Sequence, residues 1–110
     1  MSLPRSQLLI LVLAFGVIVS SGASAAPAMS TIWQETSLDL AACVKQAELA
    51  LHDAGLTRNT QTLHESVYGE EGLYTASIRC LSGKSAVFIV VAGPRQDRAS
   101  QLVSTLKSKF

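Results

Sequence analysis

No basic run and no basic helical face occurs anywhere in these 110 residues. The nine Lys and Arg and the eight Asp and Glu side chains are scattered along the chain. Nucleic acid and anionic membrane surfaces both need a concentrated positive footprint, so neither is a primary partner of such a chain. Repeats, low-complexity segments and internal linkers are missing too, which leaves room for one domain. The motifs of common chemistries are also lacking. Serines and glycines never form the G-x-S-x-G of a nucleophile elbow. Gly83-Lys84-Ser85 lacks the upstream glycine of a phosphate loop and reads as a hairpin turn. The two histidines, His52 and His64, show no metal-ligand spacing. No cofactor or metal is expected.

What the chain does have is an apolar front. Leu8 to Val19 is twelve residues without a polar side chain, preceded by Arg5 and followed by Ser20, Ser21, Gly22 and Ala23-Ser24-Ala25. A basic start, a short apolar centre and small residues before a cut are the parts of a secretory signal peptide. A spanning helix would need about 20 apolar residues, so the run is short for one. Residues 1–25 are therefore expected to be removed between Ala25 and Ala26; the alternative is an uncleaved N-terminal anchor. No Cys follows the run to carry a lipid, and no Arg pair precedes it. Arg5 is the only charged residue lost on cleavage, so the mature chain is neutral, with eight basic and eight acidic side chains. The expected location is the periplasm or the medium, with no membrane contact after cleavage.

In the mature part, residues 26–36 read as an arm or short strand and residues 37–110 as one domain. Thr36 to Asp39 fits a capping box. Leu40, Cys43, Val44, Ala47, Ala50, Leu51 and Ala54 then fall on one helical stripe, predicting a helix over 38–54. Gly55 supplies a left-handed stop, with Leu56 folding back. Three strands follow: 62–68, polar on both faces; 73–81, which alternates; and 85–92, apolar on both faces. Turns fall at Gly69-Glu70-Glu71-Gly72 and at Ser82-Gly83-Lys84. After Pro94, Ala99, Leu102, Val103, Leu106 and Phe110 mark a second helix. The expected fold is α+β, in the order (β)-α-β-β-β-α. It is a two-layer sandwich of a three- to four-stranded antiparallel meander with both helices on one face.

Cys43 lies on the helix stripe and Cys80 on the inward face of the second meander strand, so both point into one layer. A disulfide between them would close a loop of about 37 residues, worth roughly 3–4 kcal/mol on the chain-entropy model. The alternatives are two free buried thiols or a redox or metal role, although nothing here has the C-x-x-C form of exposed redox pairs. His52 shares a solvated helix face with Glu48 and Lys45. His64 stands beside Glu65 on the polar strand, and Glu70-Glu71 reads as a solvated turn. Arg79 sits mid-strand on the face away from the helices, near Thr75 and Ser77. It is either a surface arginine paired with Glu65 or the anchor of an interaction face. In the phase assigned to the last strand, Val87, Ile89 and Val91 complete that face. Three β-branched side chains left in water form a patch of the kind that marks interaction surfaces, and a homodimer or a periplasmic protein partner would cover it.

The stretches SLDLAACVKQAELALHDAGL, VYGEEGLYTASIRC and VFIVVAGP resemble a family of short exported Gram-negative bacterial proteins of unknown function. The likeness covers most of the mature chain. It implies a periplasmic or secreted protein, with Cys43 and Cys80 matching that family's cysteines, and it brings no activity. Residues and resemblance together point to a non-enzymatic periplasmic binding or interaction module. The rival is a small periplasmic hydrolase or redox enzyme with a site near Tyr68, Tyr74 and His64.

Overall fold

The computed structural model describes residues 26–110, so the expected signal peptide and its Ala25 boundary lie outside the described residues. Strands β1 (Ala28–Glu35), β2 (Arg58–Leu63), β3 (Ser66–Glu71), β4 (Tyr74–Leu81) and β5 (Ala86–Gly93) form one antiparallel sheet, in the order β1-β5-β4-β3-β2. Helices α1 (Leu40–Asp53) and α2 (Gln96–Lys107) pack on the same side of it. The expected α+β class holds, with five strands where three or four were expected.

Two events add the strands. The segment before α1 pairs along its full length with β5, so the arm is a true edge strand. The stretch 62–68 is not one strand. The chain reverses at His64-Glu65, with His64 at φ +53° and Leu63 paired to Ser66. His64 therefore sits in a turn, and Glu70 and Glu71 belong to β3 and not to a solvated turn.

Helix α1 starts two residues later than the capping-box reading placed it. Asp39 is the cap: its Oδ1 accepts the Ala42 N–H at 2.8 Å. The Thr36 hydroxyl only accepts the Leu38 N–H. At the other end Gly55, at φ +83°, lets its own N–H reach His52 O, while the Leu56 N–H reaches Leu51 O at 2.9 Å. That pair of reversed bonds satisfies the last carbonyls and drives Leu56 into the core. Small residues Ala47 and Ala50 face the sheet, fully buried, and allow close approach of helix and strands.

Helix α2 has no side-chain cap at Arg95, but Asp97 in its first turn accepts the Arg98 N–H. Ala99, Leu102, Val103 and Leu106 are buried on the sheet, and Phe110 packs at the core's edge. Gly93 closes β5 beneath the Tyr74 ring, which occupies the space a side chain would need. Cys43 and Cys80 form a disulfide that ties α1 to β4 across the core.

Candidate interaction face

Alternation along strands gives the sheet two faces. The register opposes Cys80 with Val87, Ile78 with Ile89 and Ala76 with Val91, so these six side chains share a face. Cys80 is bonded into α1, which identifies that face as the one beneath the helices. Val87, Ile89 and Val91 are each 0% exposed there. The expectation that they flank Arg79 on the outer face is therefore incorrect: they form the centre of the core and are available to no partner.

Their neighbours take the outer positions. Arg79 lies opposite Phe88, Ser77 opposite Val90 and Thr75 opposite Ala92. Strand β1 extends the row, setting Trp33 beside Phe88, Thr31 beside Val90 and Met29 beside Ala92. The Trp33 and Phe88 rings lie 6.3 Å apart, tilted by 58°, within the range of favourable aromatic pairs. Even so, Trp33 remains 57% exposed and Met29 60%. Trp33 thus stands on the open side of the sheet.

The open face divides into two bands. Met29, Trp33, Phe88, Val90 and Ala92 make an apolar band on β1 and β5. Arg79, Ser77 and Thr75, facing Ser66, Tyr68 and Glu70, make a polar band on β4 and β3. Arg79 is held by Glu65: its Nη2 donates to Glu65 Oε1 at 2.8 Å and its Nε to the same oxygen at 3.2 Å. Those bonds hold the Glu65 carboxyl below its ordinary pKa. Of the two readings of Arg79, the ion pair with Glu65 is present. At the far corner Glu70 accepts from Asn59 at 2.7 Å and lies 3.7 Å from Arg58.

The residues of the enzyme reading do not converge. Tyr68 lies on the open face opposite Ser77, whereas Tyr74 opposes Glu71 on the helix side. His64 is in the β2–β3 turn. His52 is exposed, its Nδ1 3.7 Å from Asp53. A cleft of about 350 Å³ runs from Asp39 at the start of α1 to the β4–β5 turn, passing the disulfide, which leaves it no thiol. A second, of about 260 Å³, lies between α1 and β2 and includes Glu48, His52 and Tyr68. In it the Thr62 hydroxyl donates to Glu48 at 2.8 Å. His64 lines neither. Among the described residues no three His, Cys, Asp or Glu side chains are grouped to hold a metal ion, and no helix is long and apolar enough to cross a membrane.

Comparison with protein-family models, with curated proteins and with solved structures finds no match. The face is accordingly read from its own chemistry.

Sequence reading placed Arg79, Thr75 and Ser77 on the open face and missed Met29, Trp33, Phe88, Val90 and Ala92. The signal for the missed set was the turn between β4 and β5. It has four residues, Ser82 to Ser85, with Ser85 at φ +51°. Counting four turn residues puts Val87 opposite Cys80; counting three puts Ala86 there and reverses every side chain of β5.

Proposed function

We propose that this protein is an exported, non-enzymatic interaction module whose open sheet face docks a partner protein. The observation that carries the reading is the apolar band Met29, Trp33, Phe88, Val90 and Ala92, which lies on the face that neither helix covers. Met29 and Trp33 are more than half exposed, and each forfeits a share of the roughly 1.5–3 kcal/mol that full burial of a large apolar side chain is worth. A partner surface recovers it, and an aromatic pair at the centre of a band with a polar flank has the anatomy of a docking patch. Arg79 and Glu65 beside the band give orientation through a pair already formed. Export is supported by the apolar run Leu8–Val19 with Ala23 and Ala25, by the Cys43–Cys80 bridge, which belongs to oxidising compartments, and by the resemblance to short exported bacterial proteins.

A photoreactive amino acid at Val90 tests both halves of the reading in cells expressing the full chain. The protein should be recovered outside the cytoplasm with an intact mass beginning at Ala26. On illumination it should give an adduct of discrete mass with another protein, and the same probe at Lys45 on the exposed side of α1 should give none. A cytoplasmic full-length product, or identical adduct patterns from the two positions, would contradict it.

A further inference from the structure

We infer that the outer edge of β1, which no described strand pairs, pairs with β1 of a second copy, joining two sheets into one of ten strands. The two edges of the sheet are built differently. Strand β2 is exposed throughout, carries Arg58 and Asn59, and loses register between Arg58 and Gln61, with Asn59 at φ +51°. Charge and irregularity of this kind blunt an edge. Strand β1 has neither. It is eight residues long, regular against β5, free of proline and basic residues, and charged only at Glu35.

Its hydrogen-bonding groups face outward in a fixed set. The Thr36 N–H bonds Ser85 O at 2.9 Å, which makes 36 and 85 a directly bonded pair. Stepping back by twos, Gln34, Ile32 and Ser30 turn their N–H and C=O groups toward β5. Those of Met29, Thr31, Trp33 and Glu35 therefore point out of the sheet. An antiparallel copy related by a two-fold axis through Thr31 opposes Thr31 with itself and Met29 with the partner's Trp33. Side chains then stay on matching faces, and the thioether meets the indole, a favourable contact. Each Glu35 falls opposite Pro27, so no like charges meet.

The helix layer selects a second copy over a lone extended peptide. Helix α2 packs on both β1 and β5. With its axis midway between those strands, two such helices would lie about 9.6 Å apart across the seam, from strand spacings of ~4.8 Å, inside the 8–10 Å range for packed helices. The flank of α2 toward the edge is marked by the Ser100 hydroxyl, 3.4 Å from that of Ser30. Ser104, one turn on, lies on the same flank, between the longer side chains of Gln96 and Lys107 at its ends, so the middle of the flank is small and uncharged. A lone strand would leave that flank in water; a second copy covers it with its own.

The test uses protein purified after expression of the full chain. Sedimentation at high micromolar concentration should show a dimer. In it the amides of Met29, Thr31 and Trp33 should exchange at least about tenfold more slowly than after dilution to monomer. Thr31→Pro removes only an outward N–H, which an edge strand tolerates, and should give a folded monomer. Thr31→Lys sets two ammonium groups face to face and should do the same; it decides the matter if the proline variant does not fold. A wild type that stays monomeric overturns the inference, as does a Thr31→Lys variant that stays dimeric or a dimer whose three amides exchange freely. Val90→Lys leaves this seam intact, so failure of the seam and failure of the open-face reading are separately visible.

Discussion

Asp97 shows how much of this molecule's electrostatics is local. Its carboxylate takes bonds from Arg95 Nε at 3.0 Å and Nη2 at 2.8 Å, with the Arg98 N–H at 2.9 Å. The Arg95 bonds, first, and that amide lower its pKa from 3.8 to about 2. The folded value lies below the unfolded one, so the stabilisation is fully present above the unfolded pKa and is lost as pH falls through the folded one. The side chains are largely in water, so the effect on stability is small. A carboxyl titration followed by NMR should place Asp97 near 2 in the wild type and move it back toward 3.8 in Arg95→Gln. An unchanged midpoint in the variant would remove Arg95 as the cause. Glu65 should behave alike, rising when Arg79 is replaced by Gln, because the Arg79 hydrogen bond is the main cause of its lowering. These pairs orient side chains at the start of α2 and beside the open face more than they hold the fold.

At the scale of elements the disulfide dominates. It joins positions 37 apart, and on the chain-entropy model its closure is worth roughly 3–4 kcal/mol. Denaturant melts should show Cys43→Ala and Cys80→Ala destabilised by similar amounts, about 3 kcal/mol each, with the double variant little worse than either. A double variant costing the sum would mean the two cysteines act separately. This bridge was legible in the sequence because Cys43 fell on a clear helical stripe and Cys80 on a clear strand alternation. Helix α1 and its Gly55–Leu56 stop were legible for the same reason: period and cap agreed. Two strand boundaries were not. His64 reverses the chain from a left-handed conformation that favours glycine or asparagine, so nothing in TLHESVY marked a turn. Ser85 likewise takes φ +51° in the turn before β5, although its polarity suits either a turn or a strand end. Because β5 is apolar at every position from Ala86 to Ala92, hydrophobicity could not correct the one-residue slip. The slip exchanged core for surface in the strand that matters most to the candidate site, while Arg79, Thr75 and Ser77, phased by Cys80, were placed on the correct side.

The described residues, 26–110, form an open two-layer design. One face of the sheet is closed by α1, α2 and the disulfide, and the other presents an apolar band that no described element covers. The core beneath the helices leaves Met29 and Trp33 more than half exposed on the other side, with Phe88 and Val90 partly exposed beside them. On the proposed function these side chains serve contact with a partner and not the stability of the monomer. Val90 and Val91 test it directly, being adjacent in the chain, identical in chemistry and on opposite faces. Denaturant midpoints should be measured for Val90→Lys and Val91→Lys beside the wild type. Val90→Lys should remain folded within about 1 kcal/mol of the wild type, as surface changes do, whereas Val91→Lys buries an unpaired charge and should cost more than about 4 kcal/mol or abolish folding. Equal losses in the two variants, or a larger loss at Val90, would contradict the claim.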